Sequence, residues 1–359
     1  MNKNILYQLK VENFRNLQSR NLEFSENINV VLGNNGNGKT NLIEAIYFLF
    51  HGKSFRKKNT FPQMLSSDCV KGEIIYNAVF SKDSKDHYIS GYQDLNGSRF
   101  FLNNKKSTRC RLGMVFISPH DSYLFFNDSS FRRDKINHLF GFLDPEYKSY
   151  QSSFNKILKQ KNSVLKGNIK TDKKLLEIYN QKLSLLTEIL IKKKKRLINE
   201  INPYLEHIFE EIFGEAFSLK LELKTDFNDL DSLQIFKLLS SYTEKELILK
   251  TTYSGQHKDD FSLFLDGFPA HEYASLGQQK MSYFSALFAF VSVFCCKFNE
   301  SPIVLIDDVS GELDHIRLKQ LLAFLKNLNS QVFLTSASRE LFFTDEKIKV
   351  LNVSDGVFS

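Results

Sequence analysis

The chain has 359 residues, with 48 Lys or Arg and 41 Asp or Glu, which gives a formal net charge of +7. Hydrophobic residues make up 42% and charged residues 25%, proportions that predict a folded soluble protein. The four cysteines show no C-x-x-C spacing, so neither a zinc site nor a disulfide framework is expected. With no export signal at the start, we expect a cytoplasmic protein whose excess positive charge favours nucleic acid as a partner.

The N-terminal part carries a phosphate-binding motif. An apolar run at 28–32 predicts a buried strand, and apolar residues at helical spacing follow from Leu42. The residues between them fill the pattern G-x-x-x-x-G-K-[ST] in the strand-to-helix context that gives this motif its meaning. They are Gly33, Asn34, Asn35, Gly36, Asn37, Gly38, Lys39 and Thr40.

This pattern predicts binding of ATP and Mg²⁺. Glycines let backbone N–H groups turn toward phosphate oxygens, and the helix N-terminus adds partial positive charge. Lys39 is expected to reach the β- and γ-phosphates and to assist their chemistry, and the Thr40 hydroxyl is expected on Mg²⁺.

In the middle of the chain the sequence pattern changes from that of strands to that of helices, and the helical part is rich in positive charge. Short alternating segments between about 70 and 117 predict a meander of antiparallel strands, and helical patterns run from about 131 to 214. Apolar residues at spacings of three and four predict two antiparallel helices, the second ending near Pro203. Between 151 and 200 there are thirteen Lys or Arg and four Asp or Glu, hence +9, so the rest of the chain sums to −2.

A run of five cations stands in the second of these helices. Consecutive residues step about 100° around a helix, so such a run surrounds it and is expected to reach solvent. The interpretation is a DNA-binding surface that reads backbone charge rather than sequence, and a solvated helix is the alternative. The residues are Lys192, Lys193, Lys194, Lys195 and Arg196.

The C-terminal part returns to alternating strands and helices, which predicts a mixed sheet covered by helices. Residues 251–255 and 259–267 are expected to be strands, and a helix is expected from about Leu276. Its most apolar stretch, 281–296, is shorter than the ~20 residues of a membrane span and is interpreted as a core helix. The apolar strand before Asp307 and Asp308 predicts a magnesium-binding acid followed by an acid that polarises the attacking water.

The order of these elements resembles the ATP-binding-cassette ATPases, in which S-x-G-Q is the signature sequence. The segments LKVENFRNL, GNNGNGKTNLIEAIYFLFHGKSFR, FRRDKINHLF, GQHKDDFSLFLDG, SLGQQK and IDDVSGELD are similar to those of the RecF family of DNA recombination and repair proteins. The resemblance implies an α/β cassette body with a mixed sheet, similar to SMC heads, and an inserted antiparallel helical arm. The expected divisions are 1–120, 121–245 and 246–359.

The resemblance also implies a function. A member of this family would bind gapped or junction DNA with ATP, and would help RecA to load together with RecR and RecO. Ser275, Gly277 and Gln278 would contact the γ-phosphate held by a second chain, and Asp314 would lie in the loop that crosses the interface. One phosphate loop and one signature in the chain then imply an ATP-dependent homodimer. Arg15 would lie near the nucleotide, and an exposed arginine between strands is the alternative.

Several positions depart from the resembled pattern. Asp308 stands where many cassettes have a glutamate, as in RecF proteins, which suggests slow hydrolysis. Thr335 or Ser336 stands near the place of the transporters' switch histidine, and either could contact phosphate. His120 replaces a more usual glutamate, and Gln256 replaces a usual proline.

Three other classes share parts of this pattern. An SMC-type chromosome or break-repair head would carry an insertion of hundreds of residues, whereas this one has about a hundred. A transporter's nucleotide-binding subunit would have a switch histidine and a membrane partner, and would lack the basic arm. An ATPase fused to a nuclease would need more residues after the last cassette strand.

Overall fold

The computed structural model describes residues 2–56, 60–110, 112–167, 173–214, 217–309, 315–337 and 347–359. The chain forms two compact units. Unit 1 comprises Met1–Tyr123, Glu210–Glu215 and Phe294–Ser359, and unit 2 comprises Leu124–Phe209 and Ala216–Val293. The division after Tyr123 lies close to the expected one at 120, but residues 246–293 group with the helical unit rather than with the C-terminal half.

The strands are β1 (Asn2–Lys3), β2 (Ile5–Glu12), β3 (Leu22–Glu23), β4 (Ile28–Leu32), β5 (Ile74–Lys82), β6 (Lys85–Gln93), β7 (Ser98–Leu102), β8 (Lys105–Lys106), β9 (Met114–Ile117), β10 (Leu219–Lys224), β11 (Asp260–Leu265), β12 (Phe268–Pro269), β13 (Glu300–Ser301), β14 (Ile303–Ile306), β15 (Val332–Ser336), β16 (Ile348–Ser354) and β17 (Val357–Phe358).

The α-helices are α1 (Lys39–His51), α2 (Phe61–Met64), α3 (Pro119–Asn127), α4 (Ser129–Leu143), α5 (Pro145–Leu165), α6 (Lys173–Phe213), α7 (Ser232–Ser241), α8 (Thr243–Leu249), α9 (Ala270–Tyr273), α10 (Leu276–Phe298) and α11 (His315–Asn327), and a short 3₁₀-helix covers Gln256–Lys258.

A mixed sheet of order β17-β16-β4-β15-β14-β9 forms the core of unit 1, and every pair in it is parallel except β16 with β17. All residues of β4, β14 and β15 are buried, as expected for parallel strands covered on both faces. Because these strands are parallel, their carboxyl ends meet at one edge. Gly33, Asp307 and Ser336 therefore come from neighbouring strand ends.

A second sheet of unit 1, of order β3-β2-β5-β6-β7-β8, is antiparallel. This sheet confirms most of the predicted meander, but the prediction that the last segment, up to about residue 117, belongs to the meander is wrong. β9 joins the mixed sheet instead, in parallel with β14. The buried Gln331 amide connects the two sheets, since it accepts from the Leu6 N–H at 2.7 Å and donates to the Leu6 carbonyl at 2.9 Å.

Unit 2 contains the predicted helical arm, formed by α5 and α6. The helices are antiparallel, because Val164 at the end of α5 packs near Leu176 at the start of α6. At the other end, Asp144 next to α5 binds Lys193 of α6. The prediction that α6 ends near Pro203 is wrong, because α6 continues to Phe213 and is about 60 Å long.

The continuation past Pro203 has a local cause. Pro203 is exposed, while the following turns bury Leu205, Ile208, Phe209 and Ile212. The side chain of Asn202 also exchanges two hydrogen bonds with the backbone of Leu221, at 2.9 and 3.2 Å. Apolar burial and this side-chain link to β10 therefore outweigh the backbone hydrogen bond that a proline removes.

A three-stranded antiparallel sheet of order β10-β11-β12 completes unit 2. β11 was predicted, whereas β10 was not. The predicted strand at 251–255 is absent, because Asn162 of α5 holds this segment through the N–H and hydroxyl of Thr252, both at 2.8 Å. By length and composition α10 could cross a membrane, but 72% of its most apolar window is buried, which favours the predicted core helix.

Candidate functional site: a phosphate loop beside paired aspartates

The phosphate loop connects β4 to α1 and depends on its glycines. Gly36 and Gly38 have φ angles of 87° and 106°, in the left-handed region that side chains disfavour. A Cβ at Gly33 would lie 2.4 Å from the carbonyl oxygen of Val353 in β16. Gly33 is therefore required because the chain packs closely there, and Gly36 and Gly38 are required because of their backbone conformation.

Lys39 begins α1 and points back into the loop. Its ammonium donates to the carbonyls of Gly33 at 2.7 Å and Asn34 at 3.1 Å, and to Oδ1 of Asn35 at 3.3 Å. Burial lowers the pKa of Lys39, and the nearby charges of Asp308 and Asp307 oppose this shift. The ammonium thus lies where phosphates would meet both the loop and the helix N-terminus.

Three side chains meet at the end of β14. Asp307 Oδ1 accepts hydrogen bonds from the Thr40 hydroxyl at 2.9 Å and from the Thr335 hydroxyl at 2.7 Å. Burial raises the pKa of Asp307, while these two hydrogen bonds act in the opposite direction. A hydroxyl and a carboxylate are oxygen ligands that suit Mg²⁺, which commonly takes one or two protein ligands and keeps waters. The predicted pair Thr40 and Asp307 is therefore brought together.

Asp308 follows in an unusual backbone conformation. Its φ is 50°, and its N–H donates to the Thr335 hydroxyl at 2.7 Å. Thr335 thus binds the side chain of Asp307 and the backbone of Asp308 with one hydroxyl group. The sequence left Thr335 and Ser336 as equal candidates for a phosphate contact near this place. The parallel register of β14 and β15, which sets Ile306 opposite Leu334, brings Thr335 beside the two aspartates. A phosphate contact of either residue stays a prediction.

Arg15 has a partner that the sequence did not reveal. Its guanidinium binds the buried carboxylate of Glu44 through Nε at 3.0 Å and through an Nη at 2.9 Å. Arg56 binds the same carboxylate at 3.3 Å, and Ser54 also donates to it. Glu44 is fully buried on an apolar helix face, and an acid among apolar residues is the sequence feature that could have indicated a buried cationic partner. Contact of Arg15 with a nucleotide stays a prediction.

The signature residues lie in unit 2, at the start of α10. The Ser275 hydroxyl accepts from the Gln278 N–H at 3.3 Å, and the Gln278 side chain accepts from the Ser275 N–H at 3.0 Å. This reciprocal pair is a capping box. Gly277 is half-buried in the same first turn, and Ser275 and Leu276 before it are exposed, so the helix N-terminus is accessible. Asp314 falls outside the described residues.

The cationic run on α6 differs from the predicted solvent-exposed ring. Lys194 is 1% exposed and donates to Asp259 and to the Gln256 side chain, each at 2.7 Å. Lys193 is largely buried and binds Asp144 at 2.8 Å and Glu146 at 2.9 Å. The ring prediction is therefore wrong for these two lysines, because neighbouring elements of unit 2 cover that side of α6.

The three remaining cations of the run are also paired. Lys192 binds Glu188 at 2.6 Å, Lys195 binds Asp229 at 2.7 Å, and Arg196 binds Glu200 at 3.0 Å. All five positive charges thus have a carboxylate partner within unit 2. A count of charges along the sequence could not detect this neutralisation, because Asp144, Asp229 and Asp259 come from distant segments.

The unusual Gln256 has a role in this arrangement. Besides accepting from Lys194, its amide donates to Gln151 of α5 at 3.3 Å. Burial lowers the pKa of Lys194 and raises that of Asp259, and in each case the partner charge opposes the effect. A buried ion pair needs further polar contacts to satisfy its atoms, and Gln256 supplies one. The side chain of His120 lies outside the described ones.

The chain is similar to known proteins over nearly its whole length. The family described as RecF/RecN/SMC N terminal domain matches residues 5–359. A DNA replication and repair protein RecF from Clostridioides difficile is 31% identical over 98% of this chain and 97% of its own. The structure of the recombination mediator protein RecF with ATP, from the RecFOR pathway, is 26% identical in sequence and has a TM-score of 0.83. The match covers 99% of this chain and 97% of the RecF chain.

An SMC head from Pyrococcus furiosus also shares the fold. It is 16% identical, covers 99% of this chain and 95% of its own, and has a TM-score of 0.57. The fold is therefore that of the ATP-binding-cassette ATPases in their SMC-head form, as expected from the sequence. The profile match over nearly the whole chain and the near-complete coverage at 31% identity establish the family. The chain belongs to the RecF family of DNA replication and repair proteins.

Proposed function

We propose that this protein is an ATP-dependent, DNA-binding recombination mediator that hydrolyses ATP slowly. The observation that carries the proposal is the meeting of Thr40, Asp307 and Thr335 beside Lys39 at the carboxyl edge of the parallel strands. This edge is where open α/β sheets bind ligands. The RecF solved with ATP supports the nucleotide assignment.

In the proposed reaction, the loop residues 33–40 bind the phosphates through backbone N–H groups, and Lys39 neutralises the β- and γ-phosphate charge. Thr40 and Asp307 would hold Mg²⁺, directly or through water, and the ion would neutralise charge that develops on the phosphate oxygens. Asp308 orients a water molecule for attack on the γ-phosphorus and takes its proton. The bond to the β-phosphate oxygen breaks, so that ADP and phosphate leave.

Two chains would complete each site. Ser275, Gly277 and Gln278 stand at an accessible helix N-terminus, a place that favours anions. In the proposed homodimer this turn meets the γ-phosphate held by the other chain, and Asp314 lies in the loop that crosses the interface. ATP would then act as part of the interface, because the dimer closes only when nucleotide fills both phosphate loops.

The ATP-dependent dimer would bind double-stranded DNA at gaps or junctions with single strands. The RecF structures belong to the RecFOR pathway, which supports cooperation of this chain with RecR and RecO, and RecA loading is the step that the proposed mediator would aid. DNA would stimulate hydrolysis by favouring the closed dimer, since a ligand that binds one state better shifts the population toward it. The short carboxylate of Asp308 fits a slow, timed ATPase, and the proposed site of action is the cytoplasm.

Analytical ultracentrifugation tests this function directly. The wild-type protein and Lys39→Ala are sedimented without nucleotide, with ATP and Mg²⁺, and with ATP and gapped DNA. We expect wild-type dimers only with ATP, and DNA bound to those dimers. Lys39→Ala should stay monomeric and free of DNA. Monomers throughout, or DNA binding that ignores ATP, would overturn the proposal.

A further inference from the structure

A different set of arm lysines remains unpaired once the α6 run is neutralised. Four exposed lysines on α5 and at its C-terminal end have no carboxylate partner among the described residues. They are Lys148, Lys156, Lys159 and Lys166. The acid of α5 itself, Glu146, binds Lys193, and the buried Lys161 of α5 binds Glu246 at 2.7 Å.

These four lysines share one face of the helix. At 100° per residue, Lys148, Lys159 and Lys166 fall within about 20° of one another, and Lys156 lies about 80° from Lys148. The opposite side of α5 carries its buried residues, among them Phe154. Between the lysines the face presents Ser152, Asn155 and Ser163 and no exposed large hydrophobic side chain. The four lysines are named here the α5 lysine face.

We propose that the α5 lysine face binds the phosphate backbone of double-stranded DNA. It spans about 27 Å along the helix, a length over which one DNA strand presents about eight phosphates. Lysine contacts phosphate as a flexible point charge, which suits binding without sequence preference. A protein partner is disfavoured, since interface cores rely on aromatic, Met or Arg anchors that this face lacks.

This inference rests on the proposed function and moves the DNA contact from α6 to α5. Each lysine that contacts a phosphate adds about 0.9 to the slope of log Kobs against log salt concentration. Replacement of all four should make the slope shallower by about 3.6 for each arm engaged. A change of this size is measurable by fluorescence anisotropy with a labelled duplex at several salt concentrations in the presence of ATP.

The test variant replaces Lys148, Lys156, Lys159 and Lys166 by Gln. The matched control replaces four exposed lysines of unit 1 that also lack a described carboxylate partner, namely Lys71, Lys85, Lys105 and Lys106. Both variants lower the net charge equally. We expect unchanged ATP affinity in both, a shallower slope and at least about tenfold weaker DNA binding in the α5 variant, and a near wild-type slope in the control.

The outcomes separate the two proposals. Failure of the wild-type protein to bind DNA with ATP would defeat the proposed function itself. If the wild type binds DNA and the α5 variant keeps its slope, the α5 lysine face is not the contact and the function stands. An equal loss in the control would attribute binding to net charge and overturn the inference.

Discussion

Thr335 binds Asp307 with a hydrogen bond of 2.7 Å and accepts the N–H of Asp308 with the same hydroxyl at 2.7 Å. One side chain of β15 thereby orients two consecutive acids at the end of β14. Such supporting contacts usually set the precision of a phosphate site. Thr335 is a positioning residue, since it acts through the aspartates.

Replacement of Thr335 by Val should lower ATP turnover about 10- to 100-fold, because Asp307 loses a donor and the Asp308 N–H loses its acceptor. Thr335→Ser keeps the hydroxyl and should retain most of the activity. Steady-state ATPase assays with varied Mg²⁺ give the comparison, and the Val variant should need more Mg²⁺. If Thr335→Val and Thr335→Ser needed the same Mg²⁺ concentration for half-maximal ATPase activity, Thr335 would not position the aspartates.

Replacement of Lys194 by Ala should destabilise the protein by about 3–5 kcal/mol, because the buried Asp259 would lose its counter-charge. Lys192→Ala removes an exposed pair on the same helix and should change the free energy of unfolding by at most ~0.5 kcal/mol. Urea unfolding gives both values. The double variant Lys194→Met with Asp259→Asn should be less destabilised than Lys194→Ala. Equal changes in the free energy of unfolding for Lys194→Ala and Lys192→Ala would show that Lys194 is accessible to solvent.

The neutral state of His257 should make stability depend on pH. Burial, together with the positive charges of Lys258, Lys161, Arg133 and Lys194, lowers the pKa of His257 from 6.5 to about 4. The unfolded chain therefore binds a proton at higher pH than the folded protein. This group costs no stability above about pH 6.5 and about 3 kcal/mol by pH 4, where the loss ends.

The change His257→Leu should remove that contribution and flatten the pH dependence of urea unfolding between pH 7 and pH 4.5. Carboxylates elsewhere also titrate in this range, so the informative quantity is the difference between wild type and variant at each pH. A constant difference across the range would show that His257 titrates alike in the folded and unfolded states.

Replacement of Arg15 by Lys should lower stability by about 1.5–3 kcal/mol, because one ammonium cannot reproduce the two hydrogen bonds to buried Glu44. ATP affinity should change much less, because the proposed phosphate contacts come from the loop residues 33–40, whereas the Arg15 guanidinium is bound to Glu44. Thermal unfolding and nucleotide titration separate the two effects. A large loss of ATP affinity at unchanged stability would make Arg15 a nucleotide ligand instead.

The sequence predicted the phosphate loop well because its chemistry is local. Glycine spacing, the buried strand before Gly33 and the apolar helix after Thr40 all lie within about twenty residues. The strand before Asp307 and the capping residue Ser275 are similarly local patterns. The fold class then followed from the order of these motifs and from the resemblance.

Features that depend on distant partners could not be read in this way. Strand β10 was missed, since its alternation is short and its partner β11 lies some forty residues later. β9 was placed in the wrong sheet because alternation does not distinguish a parallel partner from an antiparallel one. The burial of Lys194 depends on Asp259 and Gln256, which no spacing within α6 reveals.

The phosphate loop also depends on contacts with β16 and the turn that follows it. Asn37 donates to the Val353 carbonyl, 316 residues away along the chain, and the Gly356 N–H donates back to the Asn37 carbonyl at 3.0 Å. During synthesis, N-terminal segments emerge first. In a growing chain the loop residues are therefore made long before these partners, and we expect the loop to reach its final conformation only after β16 has been made. A chain that ends before residue 353 would lack both contacts, and we expect its phosphate loop to be less well ordered.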